Sequence, residues 1–214
     1  MKKTLLLIVI LACCVQSSNS AFEQSADKIK SEQTREVKEQ VLTSTYLPVI
    51  RIRFDNSFKY VGTQKFILYE KAQVEQYFFV DADSQQRIKR MYQVQFEGFL
   101  PGINAAYDYP VTETVTLGGQ TYLVNAETIP NVPAALKQIP GSDVAHAASF
   151  LEGKGYSIGA SIRFQRFVRL LDEAKRNEII LLYIEDASVG ASSAQENDGK
   201  EFLARALKGF TILK

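Results

Sequence analysis

The chain predicts an α+β domain built on a mainly antiparallel, twisted sheet of about six to eight strands covered by helices. Three observations carry that expectation. Period-two alternation dominates from Val49 to Asp186, as in strands whose successive side chains point to opposite faces. Gly118 and Gly119 sit between Leu117 and Gln120, Val115 and Tyr122, and Glu113 and Val124, the pairing of a hairpin closed by a two-residue turn. Helical spacing beyond residue 43 is confined to a stretch after Ser142 and one at the C-terminus.

In chain order, the first feature is an address. Lys2 and Lys3, the apolar run Leu5 to Ala12, and the small residues Ser18 and Ser20 before Ala21 read as an export signal over residues 1–20. The run is shorter than the ~20 apolar residues of a permanent membrane helix. An alternative ends the signal at Ala12: Ile10, Leu11, Ala12 and Cys13 resemble a bacterial lipoprotein cleavage site, with Cys13 lipidated. Leu11 is bulkier than that motif usually has two residues before the cysteine. The expected location is periplasmic or secreted, with an outer-membrane lipoprotein as the alternative, and residues 21–214 form a single soluble domain.

Residues Ala21 to Leu42 are rich in Glu, Lys, Gln, Ala and Ser, and a sparse stripe of Phe22, Ala26, Ile29, Val37 and Val41 predicts a surface helix. A strand follows at Val49 to Phe54. Phe66 to Tyr69 and Tyr77 to Val80 are apolar on both faces, whereas Ile88, Arg90, Tyr92, Val94 and Phe96 alternate with Lys89, Met91, Gln93, Gln95 and Glu97. Asp81 to Gln86 is a hairpin loop, since Asp and Ser bond locally to backbone. The hairpin on Gly118 and Gly119 spans roughly Val111 to Ala126. Pro130, Pro133, Pro140 and Gly141 break the next stretch; Ser142 caps a helix bearing Val144, Ala147, Ala148 and Leu151. Strands at Ile162 to Leu171 and Ile179 to Ile184, an exposed loop through Gly199, and a docking helix with Phe202, Leu203, Ala206, Leu207 and Phe210 complete the chain.

Composition removes several classes of function. Ordinary signal cleavage takes Cys13 and Cys14, the only cysteines, so zinc–thiolate, iron–sulfur and thiol redox chemistry have no ligands. The chain has 25 Lys plus Arg against 24 Asp plus Glu, and removal of Lys2 and Lys3 leaves 23 against 24. That balance offers nucleic acid no long-range attraction.

The catalytic inventory is thin. His146 is the only histidine, lies between Ala145 and Ala147, and reads as a helix residue packing on Phe150. Asp81, Asp83 and Gln85 begin like a calcium loop, but Gln86 stands where glycine is needed and Tyr92 where the closing glutamate belongs. The expectation is therefore no catalytic residue, no metal and no cofactor. What stands out is a pair of arginines on apolar strand faces: Arg90 with Tyr92, Val94 and Phe96, and Arg166 with Ile162, Phe164, Val168 and Leu170. Each needs a carboxylate, a polar cavity or a bulge; Glu178 and Glu185 are candidate partners for Arg166.

These observations read as an exported bacterial envelope protein with a non-enzymatic protein-interaction or support role. One alternative is periplasmic binding of a small apolar or anionic ligand in an aromatic pocket, with Arg90, Tyr92, Phe96, Tyr122 and Arg166 as the candidate ligand-binding residues. A second is a hydrolase using carboxylates.

Overall fold

The computed structural model describes residues 34–110, 113–187 and 198–213. The export signal, Cys13, most of the expected N-terminal helix and the loop before Gly199 lie outside the described residues. Strands are β1 (Arg35–Lys38), β2 (Val41–Thr45), β3 (Val49–Phe54), β4 (Lys59–Leu68), β5 (Ala72–Ala82), β6 (Ile88–Phe99), β7 (Glu113–Leu117), β8 (Gln120–Ile129), β9 (Ile162–Leu170), β10 (Asn177–Asp186) and β11 (Phe210–Leu213). Helices are α1 (Val132–Gln138), α2 (Asp143–Gly153) and α3 (Asp198–Lys208).

The strands form two antiparallel sheets. One has seven strands in the order β4-β5-β6-β10-β9-β8-β7; the other has four, β1-β2-β3-β11. The larger sheet is covered twice. One face meets the smaller sheet and α3 through Leu42, Ile52, Phe54, Phe79, Tyr92, Tyr183 and Phe202; the other meets α1 and α2 through Phe78, Met91, Val132, Ala147, Leu151 and Ile184. Double coverage explains why β5 is buried on both faces from Val74 to Val80, the pattern expected of a central strand.

Local chemistry sets the ends of these elements. The Ser142 side chain accepts from the Ala145 amide at 3.1 Å and starts α2, and Asn131 does the same for α1 by accepting from Ala134 at 3.0 Å. Gly118 and Gly119, with φ of 57° and 79°, close the β7–β8 hairpin in the expected register. Pro133 falls in the first turn of α1, where its missing N–H leaves no hydrogen bond unmade, so the proline-broken stretch holds a short helix.

Two expectations are corrected. The helix expected to run to Leu42 is replaced from Arg35 onward by the β1–β2 hairpin, whose turn residues Glu39 and Gln40 have φ of 49° and 62°. A hairpin turn closed by two non-glycine residues has no glycine or asparagine to announce it. The C-terminal helix stops at Lys208, and Phe210 belongs instead to β11, paired with Phe54 of β3.

The sandwich interior is a continuous stack of rings. Phe54 lies on Phe79 with centroids 3.8 Å apart, and Tyr92 contacts Phe54, Phe58, Tyr183 and Phe210 at 4.7–5.7 Å. The Tyr92 hydroxyl donates to the Ala206 carbonyl at 2.7 Å, tying β6 to α3. A Cβ at Gly209 would run into the Tyr92 ring and hydroxyl and into the Phe58 ring. Because that tyrosine is held by its hydrogen bond and by four rings, Gly209→Ala should destabilise the fold by about 1–3 kcal/mol. Urea denaturation reads this as a lower midpoint at unchanged slope; an unchanged midpoint would show that the ring stack yields.

Candidate functional site

The five residues expected to bind a ligand divide between the two faces of the seven-stranded sheet. Tyr92, Phe96 and Tyr122 are buried on the sandwich side. Arg90 lies on that side too, partly exposed, with its Nε 2.9 Å from Asp81 Oδ2 and its guanidinium over the Phe58 ring at 5.1 Å. Burial pushes the Tyr122 phenol upward, with Arg169 opposing. Arg166 is on the helix side: its Nε donates to Asn125 Oδ1 at 2.8 Å, and its guanidinium lies 5.4 Å from the centre of the Tyr109 ring. Of its two candidate partners, Glu185 instead receives Tyr183 and Arg205, at 2.5 and 2.9 Å. His146 stacks on Phe66 at 4.0 Å. Asp83 accepts from the Gln85 and Arg87 amides and from Arg87 Nε, so the loop carboxylate is occupied by its own hairpin.

The helix side holds a polar network in the middle of the sheet. Gln64 donates to Gln76 and Gln76 to Gln95, each at 2.7 Å, and these residues are cross-strand neighbours on β4, β5 and β6. Gln95 also receives Gln93 at 3.0 Å, and donates to Glu97 at 2.7 Å and to Asp143 at 3.2 Å. Gln93 and Gln95 of β6 are thus buried, because α2 and the segment 100–110 lie over them and the amides satisfy one another.

Glu97 ends this network on β6, and a second buried carboxyl lies beside it. Glu97 and Glu178 are paired positions on β6 and β10. Tyr107 donates to Glu97 at 2.9 Å and Tyr109 donates to Glu178 at 3.0 Å. The segment carrying these tyrosines is anchored by Arg176, which donates to the carbonyls of Leu100, Ile103 and Ala105. Burial raises the Glu97 carboxyl against the hydrogen bonds of Tyr107 and Gln95. Glu178 is 1% exposed, and its Oε2 has no hydrogen-bond partner. Burial pushes it up to about 8; the Tyr109 bond and Arg166 oppose, while Glu97 and Asp143 reinforce the rise. A neutral acid in this position is the physical outcome of placing carboxyls together under cover.

A different arrangement occupies one end of the sandwich. Arg35 of β1 uses all five N–H donors: Nε on Ser44, Nη1 on the Tyr46 hydroxyl and Glu75, Nη2 on the carbonyls of Tyr46 and Leu47. Its guanidinium lies between the Tyr46 and Phe96 rings, 4.0 Å from each. Glu75 also receives the Tyr77 hydroxyl and pairs with Lys65 at 3.0 Å. Burial drives the Glu75 carboxyl upward, but the bonds from Tyr77, Lys65 and Arg35 outweigh it and hold it below its usual range.

Beside this cluster is a cavity of about 170 Å³ lined by Tyr46, Leu47, Gln73, Phe96, Phe99 and Leu100, among others. Around it the turns β2–β3 and β4–β5 expose Leu47 (52%), Val49 (78%), Ile67 (49%) and Tyr69 (59%). They share one end because Arg35 bonds the Leu47 carbonyl, while Ile67 pairs with Gln73, which lines the same cavity. Sequence reasoning missed Arg35 because its segment reads as helix. The alternation of Leu42 and Ser44 with Val41, Thr43 and Thr45 was the available signal.

Among the described residues, no group of three or more histidine, cysteine or acidic side chains is arranged to hold a metal ion, and no helix is long and apolar enough to cross a membrane. Comparison with protein-family models, curated proteins and solved structures finds no match to this chain.

Two outcomes follow from these clusters. A carboxyl raised from 4.5 to about 8 binds more protons folded than unfolded across that interval, so its contribution is full below pH 4.5 and is lost as pH rises through 8. Chemical denaturation should therefore find the protein less stable at pH 8 than at pH 5 by about 2–5 kcal/mol, and Glu178→Gln should remove most of that slope. A slope that survives the substitution would assign it to other groups. Arg35→Ala takes the buried partner from Glu75, leaving it Tyr77 and the exposed Lys65, and unbonds the carbonyls of Tyr46 and Leu47, and should cost about 2 kcal/mol or more. Arg35→Lys should recover less than half, because an ammonium cannot serve five acceptors.

Proposed function

We propose that this is an exported bacterial envelope protein with a non-enzymatic interaction or support role, working through the open end of the sandwich. One observation carries the reading. Of the six large hydrophobic residues exposed among the described residues, Leu47, Val49, Ile67 and Tyr69 gather at that end. Grouped exposed apolar residues mark contact surfaces, whereas single ones are ordinary. The export address follows from Lys2, Lys3 and the run Leu5 to Ala12. Further support comes from the interior: Arg35, Glu75, Arg90 and Tyr92 spend their polar atoms on the fold itself.

A second reading, uptake of a small ligand, is favoured by the aromatic walls of the cavity beside Arg35. Because all five Arg35 donors are engaged, that ligand would be apolar rather than anionic. Its signature is ligand-dependent chemical-shift change at Phe96, Phe99 and Leu100.

The test of the main reading is a photo-crosslinking side chain placed at Tyr69 and, for comparison, at Gln85 in the hairpin at the far end of β5, in cells that make the full chain. The expected result is a defined adduct from position 69 that weakens with Leu47→Ser and Val49→Ser and is missing from position 85. Equal or absent labelling at the two positions would overturn the assignment of the working face.

A further inference from the structure

We infer that the open end is a membrane-contact surface and that its occupant is the headgroup–acyl boundary of a lipid bilayer. The inference deepens the proposed function and rests on its reading of the N-terminal segment as an export signal, processed by the lipoprotein route at Cys13.

The first argument is where the chain leads. β1 begins at Arg35, which lies in the cluster at this end, not at the far end of the strands. Upstream of it, 21 residues separate Arg35 from Cys13, and the apolar run Leu5 to Ala12 comes just before. A lipid on Cys13, the alternative processing of the signal, is thus joined covalently to the end that carries the exposed apolar side chains. Those 21 residues span at most about 70 Å even fully extended, and the tether enters the domain at this end, where β1 begins. Tethering raises the local concentration of a weakly apolar surface at the bilayer without any new contact.

The second argument is chemical. Leu47, Val49 and Ile67 are aliphatic, and Tyr69 combines a ring with a hydroxyl, the side chain type that settles where hydrocarbon gives way to headgroups. All four lie in or beside turns: Leu47 and Val49 at the β2–β3 turn, Ile67 and Tyr69 at the β4–β5 turn. Such positions dip into an interface without removing backbone hydrogen bonds of a sheet from water. The charge at this end is mixed. Lys65 is committed to Glu75, and the β4–β5 turn places Glu70 beside Lys71. After signal removal the chain has 23 basic and 24 acidic residues, so contact comes from apolar insertion and should be nearly independent of anionic lipid and of salt.

The chain has no tryptophan, which allows single-site reporters. Leu47→Trp, Tyr69→Trp and, at the far end, Gln85→Trp are made in the full chain, and the processed protein is purified from the envelope. It is then added to phosphatidylcholine vesicles with and without phosphatidylglycerol. Expected is a blue-shifted emission for the Leu47→Trp and Tyr69→Trp proteins and, with bromine-labelled acyl chains, about a twofold or larger loss of intensity. The Gln85→Trp protein should show neither, and added salt or phosphatidylglycerol should change little. All three positions are exposed, and a shared thermal midpoint checks that the reporters leave the fold intact.

Identical behaviour of the three reporters overturns the membrane surface. If the crosslinker at Tyr69 then captures a protein, the inference falls and the proposed function stands. If it captures nothing, both fall. Binding that appears only with phosphatidylglycerol and is abolished by salt also overturns the inference, because it would be electrostatic rather than apolar.

Discussion

Coverage of the seven-stranded sheet on both faces is the constraint from which the rest of the structure follows. A sheet with one wet face can send every second residue to solvent. Here β5, β6 and β10 have no wet face along most of their length, so each polar residue on them must find its partners inside the protein. The two layers meet that demand differently. Toward the smaller sheet the central strands present rings that pack on one another. Toward α2 and the segment 100–110 they present glutamines that bond in a line across three strands and end on the carboxyls of Glu97 and Asp143.

This division governs where chemistry is available. Side chains named by spacing along one strand, such as Tyr92 and Phe96, share a face, but strand pairing places Arg166 on the other face. The carboxyls of Glu97 and Glu178 are brought together only by the β6–β10 register, then capped by tyrosines from a segment that is neither helix nor strand. One Glu178 oxygen is left without a partner, and the burial that creates the network is also what drives that carboxyl toward its neutral form. The polar interior is thus committed to the fold, and the surface at the end of the sandwich is where apolar groups remain outside.

That end is built by turns with an unusual composition. Leu47, Tyr69 and Glu70 all take positive φ without glycine. Such turns carry a steric cost that the flanking strand pairs and the core beneath them offset. Arg35 closes the same end from inside by binding two turn carbonyls, Glu75 and two aromatic faces. Local order there depends on a guanidinium whose partners come from β2, the β2–β3 turn, β5 and β6.

By itself the sequence determined the elements whose signals are local. The Gly118–Gly119 hairpin and its register, the Ser142 cap of α2, and the strands β3, β5, β6, β9 and β10 follow from dihedral freedom, side chain capping and period-two alternation. Each of these acts within a few residues. Tertiary structure alone decided what depends on partners remote in the chain: that β1 and β2 are strands rather than a helix, that Phe210 pairs with Phe54, and that the polar face of β6 is buried under α2. It also decided that Arg35 meets Glu75 and that Glu97 lies beside Glu178. Local preference near Arg35 is weak, and there the burial of Leu42, Ile50 and Ile52 against the larger sheet outweighs helix propensity.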